Sequence, residues 1–153
     1  MREILFRGKR KDNGQWHIGR NLIQLDPHLE DGSIGPTEIY IIPAGAYCFR
    51  SKYPFSTTLE WSNEVFVPID SETIGRFTGR VDKKGNKIFE GDIVKDIRDD
   101  ELNVVKWGDD GFILMDDCEG VMFFNDDLCS GLKVVGNIYD NPKLFEVKDE
   151  SNN

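Results

Sequence analysis

Four acidic clusters punctuate the last third of the chain: Asp99-Asp100-Glu101, Asp109-Asp110, Asp116-Asp117-Cys118-Glu119 and Asp126-Asp127. Carboxylates gathered in one place can hold hard divalent cations such as Mg²⁺ or Ca²⁺ through oxygen ligands. No window here follows the calcium-loop order D-x-[DN]-x-[DN]-G with a glutamate at its twelfth position. Neighbouring Asp residues on a strand also point to opposite faces, so one of each pair turns away from any shared ion. Solvated, turn-forming carboxylates are therefore the favoured reading, with a metal site as an alternative. A third reading uses the same residues as a decoy, in which regularly spaced carboxylates imitate duplex phosphates and occupy a DNA-binding protein.

Other reactive groups are sparse. Gly79-Arg-Val-Asp-Lys-Lys-Gly85-Asn-Lys87 has the outline of a phosphate loop, but one spacer too many, Asn where Lys must stand and no following hydroxyl. It reads as a hairpin turn. No G-x-S-x-G elbow is present, and His17 and His28 stand in no catalytic motif. Cys48, Cys118 and Cys129 form no C-x-x-C pair, and their odd number suits neither a disulfide framework nor a zinc knuckle. No catalytic residue, metal or cofactor is assigned.

Charge narrows the partners. Residues 1–90 carry 13 Lys/Arg against 12 Asp/Glu, whereas residues 91–153 carry 6 against 16. The whole net charge of −9 thus belongs to the C-terminal part, which opposes non-specific attraction to nucleic acid or anionic lipid. A small basic group, Arg7, Lys9, Arg10 and Lys11, is the one feature in favour of nucleic acid. No apolar run approaches the roughly 20 residues that span a bilayer, and the first residues lack the apolar segment of a secretory signal. A cytoplasmic protein without membrane attachment is expected.

The elements that must position these groups are strands. Apolar and polar residues alternate, and helical periodicity is scarce. Ile4 and Phe6 fall on one face of a first strand, with Glu3, Leu5 and Arg7 on the other. Asp12-Asn13-Gly14 supplies the positive φ angles of a hairpin turn, and Trp16-His17-Ile18 begins the return strand, continued by residues 21–25. Residues 26–36 form a loop, and 37–42 a strand ended by Pro43. Residues 44–58 are irregular and aromatic, and 59–69 return to strand. Short strands follow at 76–81, 87–89, 93–97, 103–107, 112–115, 121–124 and 132–139, separated by Gly, Asp or Asn turns. A 3₁₀ turn is expected within 126–131, and Asn141-Pro142 suits the start of a brief terminal helix. The fold is expected to be mainly β: an N-terminal β-rich part over 1–72, an SH3-like barrel over 73–142 and a tail over 143–153, one compact domain overall.

The most distinctive stretch is Phe77-Thr-Gly-Arg-Val-Asp-Lys-Lys-Gly-Asn-Lys-Ile-Phe-Glu-Gly-Asp-Ile-Val-Lys95. Gly79 and Gly91 relieve steric conflict where strands bend, and Glu90 and Asp92 can accept backbone N–H bonds at the corner between them. Asn137 and Tyr139 are placed to tie the last strand to the turn at Asp140-Asn141. Together with Arg2-Glu-Ile-Leu-Phe-Arg-Gly-Lys-Arg-Lys-Asp-Asn-Gly-Gln-Trp-His-Ile-Gly19 near the start, Asp70-Ser-Glu-Thr-Ile-Gly-Arg-Phe-Thr-Gly79 leading into it and Val134-Val-Gly-Asn-Ile-Tyr-Asp-Asn-Pro142 near the end, this stretch resembles the YopX family of phage and prophage proteins. The resemblance implies a setting in a bacterial host cell and brings no activity with it. Gly79, Glu90, Gly91, Asp92 and Asn137 carry its motifs, and their simplest role is to specify the fold.

Binding is the remaining chemistry. Trp107, Phe112 and Tyr139 are candidates for aromatics at the barrel mouth, joined by Tyr47 and Phe49 and edged by Asp109, Asp110, Asp116 and Asp117. The function expected is a non-enzymatic accessory protein whose acidic surface engages a basic protein partner. The alternative is a small metal-dependent enzyme or nucleic-acid-processing protein using the Asp-rich loops. Exposed edge strands also permit a homo-oligomer.

Overall fold

The computed structural model describes residues 3–26, 29–43, 67–116 and 121–144. The aromatic segment at 44–58, most of the strand expected at 59–69, and the chain beyond 144 lie outside the described residues. Two antiparallel sheets hold the described strands, which do not close into a barrel. By contacts the chain divides into two compact units, Ile4–Ile74 and Gly75–Asn153, the second taking in Met1–Glu3.

In the first unit, β1 (Phe6–Lys9) pairs with β2 (Trp16–Leu25), β2 with β3 (Glu38–Pro43) and β3 with β4 (Val67–Ile69). Ile41, Val67 and Ile69 form its core, with Phe6 and Ile74 packed against them. β2 carries a bulge between Gly19 and Asn21, and a Cβ at Gly19 would collide with the Ile42 carbonyl oxygen. The far end of β1 curls back to β4: Arg10 bridges Ile69, and the Lys11 N–H donates to the Pro68 carbonyl at 3.0 Å. A 3₁₀ turn at Ser71–Thr73 closes the corner, its Thr73 hydroxyl accepting from the Lys9 N–H at 2.8 Å.

Two local expectations change here. Ile4 is 68% exposed and Leu5 only 4%, because the strand begins at Phe6 and the residues before it do not continue its alternation. In the first hairpin turn, Gly14 alone takes a positive φ, at 68°. The loop is one residue longer than a tight turn: Gly14 N–H donates to the Arg10 carbonyl, and Asn13 Oδ1 accepts from the Gln15 N–H at 2.9 Å.

The second unit contains the hairpin of β5 (Gly75–Val81) and β6 (Lys87–Phe89). Its five-stranded sheet runs β10-β9-β8-β7-β11, from β7 (Asp92–Asp96), β8 (Leu102–Gly108), β9 (Gly111–Met115), β10 (Val121–Phe123) and β11 (Leu132–Asn137). Ile88, Val94, Val105, Leu114, Leu128, Cys129 and Leu132 form the core, so the hairpin and the sheet share one interior. Before β11 comes a single turn of α-helix, α1 (Asp126–Cys129), instead of the expected 3₁₀ turn. Asn125 sets it, its Oδ1 capping the Leu128 N–H at 2.8 Å. β11 stops at Asn137, short of Tyr139, because the Asn137 side chain takes the Tyr139 and Asp140 N–H groups at 3.0 and 2.8 Å.

Asp82 joins the hairpin to the sheet. It is 4% exposed, and its carboxylate accepts from the N–H groups of Lys84 and Asn86, both at 2.8 Å, and of Val134 on β11 at 3.0 Å. The Asn86 side-chain amide adds a fourth bond at 3.2 Å, and the Lys83 N–H reaches the Leu132 carbonyl at 2.9 Å. Burial works to raise the Asp82 pKa, but the bonds from Val134, Asn86 and Lys84 outweigh it and hold the carboxyl below the usual range. A depressed pKa contributes stability above the unfolded-state value and loses it as pH falls through the folded-state value. We therefore expect Asp82→Ala to cost about 3 kcal/mol in urea unfolding, since several buried donors lose their acceptor. Asp82→Asn should lose less stability than wild type when the pH is lowered below about 4. An equal acid response in both proteins would contradict the assignment.

Candidate functional site

The core face of the sheet runs out into solvent at the β8–β9 hairpin. Val105 lies opposite Leu114 in the interior, and two residues further out Trp107 lies opposite Phe112 on the same face. The Trp107 and Phe112 rings meet edge to face, with centroids 4.8 Å apart and an 80° angle between planes. Phe112 in turn reaches Phe124 at 6.5 Å. Trp107 is 51% exposed, a large apolar ring only partly covered at the end of a packed row.

Gly108 and Gly111 pair directly, leaving Asp109 and Asp110 as the exposed turn between them. Neither aspartate takes a positive φ; Gly111 does, at 134°, and so absorbs the strain of the turn. The sequence-expected group of Trp107, Phe112, Asp109 and Asp110 is thus brought together on one hairpin. Arg76 of β5 joins it, its guanidinium 5.1 Å from the Trp107 ring centroid. That is a cation–π arrangement. Alternation alone could not have found Arg76, because its approach depends on how the β5–β6 hairpin covers the sheet.

A small cleft of about 190 Å³ is lined by Thr78, Gly79, Arg80 and Asp126. Arg80 and Asp126 form an ion pair across it. Gly79, with φ at 83°, marks the irregular stretch of β5 between Phe77 and Val81. The cleft is smaller than the roughly 300–1,000 Å³ usual for small-molecule sites.

The other expected residues have different places. Tyr139 packs on the Gly91 corner, where a Cβ at Gly91 would lie 3.1 Å from its ring. Gly91 takes φ at 88°, donates its N–H to the Val105 carbonyl at 2.8 Å and accepts from the Ile138 N–H at 3.0 Å. Asp92 accepts the Phe89 N–H at 2.8 Å and Glu90 the Arg76 N–H at 3.4 Å. Glu90, Gly91, Asp92 and Asn137 therefore build one structural corner. Asp116 follows the far end of β9 from the hairpin tip and does not join Asp109 and Asp110. Tyr47, Phe49 and Asp117 lie outside the described residues.

The remaining candidates for chemistry are engaged structurally. Arg10 pairs with Asp12 at 2.6 Å, Lys11 with Glu38 at 3.9 Å, and Arg7 and Lys9 stand over the Trp16 ring at 4.7 and 5.6 Å. The His17 pKa is lowered, first by burial and then by Arg10. Cys129 is buried and free, and burial pushes its thiol pKa up, away from nucleophilic use. Among the described residues no three His, Cys, Asp or Glu side chains gather as metal ligands, and no helix is long and apolar enough to cross a membrane.

A family model described as YopX protein matches residues 46–146 of the chain. Among solved structures, the crystal structure of protein EF1440 from Enterococcus faecalis is 24% identical over 93% of this chain and 97% of that chain, with a TM-score of 0.43. No curated protein matches.

The glycine corner should be more sensitive to mutation than the hairpin tip. Gly91→Ala forces a side chain into a left-handed conformation against Tyr139 and should cost about 1–3 kcal/mol in urea unfolding. Trp107→Ala, at a half-exposed position, should cost roughly 1 kcal/mol or less. The reverse ranking would make Trp107 a core residue and remove it from the candidate surface.

Proposed function

The chain belongs to the YopX family, and on that premise we propose that it is a non-enzymatic phage or prophage accessory protein that binds a basic segment of a host or phage protein. The observation that carries this reading is the half-exposed Trp107 ring, braced edge to face by Phe112, with Asp109 and Asp110 in the turn between them. A rigid aromatic anchor with carboxylates beside it fits the chemistry of a basic peptide better than that of a small substrate. The charge of the C-terminal part, 6 Lys/Arg against 16 Asp/Glu over residues 91–153, adds long-range attraction for such a partner.

A finer architectural reading accompanies this one. The short strands of residues 73–142, with a helical turn before the last, suit an open variant of an SH3-like barrel whose mouth is the β8–β9 tip. The bacterial cytoplasm is the setting in which such a protein would meet its partner.

The test is fluorescence anisotropy with labelled nona-arginine, nona-lysine and nona-glutamate peptides at low and high salt. Basic peptides should bind, the acidic one should not, and high salt should weaken binding by about tenfold or more. Trp107→Ala should abolish the signal, and the Asp109→Asn/Asp110→Asn double variant should weaken it. Absence of binding by either basic peptide, or full binding by Trp107→Ala, would overturn the reading.

A further inference from the structure

The two arginines of β5 are held in different ways. Arg80 is paired with the Asp126 carboxylate across the cleft. Arg76 has its guanidinium on the Trp107 ring and, among the described residues, meets no carboxylate, although Asp109 and Asp110 stand in the adjoining turn. Its main chain is fixed, with the Arg76 N–H donating to Glu90 Oε2 and the Arg76 carbonyl accepting the Glu90 N–H at 2.9 Å. The side chain is exposed. A fixed backbone with a guanidinium held by a ring face alone can release that face without disturbing the sheet.

We infer that Arg76 is an internal stand-in for the partner's own cation, occupying the Trp107 face until an arginine of the partner displaces it. The inference rests on the docking reading above and adds both the class of the contacting residue and a built-in competition. Arginine is specified over lysine because a planar, weakly hydrated guanidinium stacks on an aromatic face while presenting its edge donors to carboxylates. At this tip a guanidinium on Trp107 would draw Asp109 or Asp110 of the adjoining turn toward its edge donors, a pairing that Arg76 on the same face does not make. An ammonium satisfies the ring or the carboxylates as a point charge, without the fork.

Competition has a measurable sign. A single exposed cation–π contact lowers apparent affinity by between about twofold and fivefold when the incoming group must replace it. Removing Arg76 also removes a like charge from the site. Arg76→Ala should therefore bind nona-arginine at least about twofold more tightly than wild type. Arg76→Lys, which keeps the charge and loses the stack, should fall between them. Wild type should prefer nona-arginine to nona-lysine, and thermal unfolding of each variant confirms that it is folded.

Equal or weaker binding by folded Arg76→Ala, with wild type still dependent on Trp107, would overturn the stand-in role and leave the docking reading intact. Equal affinity of wild type for the two basic peptides would overturn the choice of arginine. No binding by any of the three proteins would remove the docking reading and this inference together.

Discussion

One buried carboxylate holds together two pieces of β-structure that no strand ladder joins. The β5–β6 hairpin and the five-stranded sheet share an apolar interior, but apolar contacts alone do not set the angle at which one lies on the other. Asp82, at the first residue after β5, supplies the directional part. It collects N–H groups from its own turn and from Val134 of β11. An unpaired carboxylate could not be kept at such depth, so the bonds and the burial sustain each other.

That anchor has consequences along β5. With its far end tied to β11, the strand is carried over the open end of the core, where Arg76 meets Trp107 and Arg80 meets Asp126. The near end is tied at the Gly91 corner, where the Arg76 and Glu90 main chains bond and Gly91 contacts β8. One end of the hairpin is therefore set by the Asp82 carboxylate and the other by backbone bonds, and the Arg76 side chain is what remains adjustable. A side chain held this way can change rotamer and leave the sheet as it is.

Local chemistry made much of this legible in advance. The β6 bounds, the Gly91 corner and the Trp107–Phe112 pair depend on period-two alternation and turn residues within a few positions, and the family match over residues 46–146 takes in the motifs at 77–95 and 134–142 but not the one near residue 2. What escaped depends on distance along the chain. Asp82 reads as an ordinary turn aspartate until Val134, 52 residues later, is brought to it. Arg76 opens the strand expected at 76–81, yet nothing in its spacing points to Trp107. Asp109 and Asp116 look equivalent as acidic loop residues, but β9 separates them, so only the first belongs to the aromatic tip. Ile4 and Leu5 do not follow the alternation of β1, because alternation gives the phase of a strand only where the strand exists.

Amide hydrogen exchange at Lys84, Asn86 and Val134 tests the central role of Asp82 most directly. If the carboxylate is the cross-link described, these three N–H groups should exchange only with global unfolding, as slowly as the amides of Val94 and Val105 in the core strands. Exchange at Lys84 and Asn86 as fast as in the exposed Asp109–Asp110 turn, with Val134 fast as well, would mean that Asp82 does not hold the hairpin to the sheet.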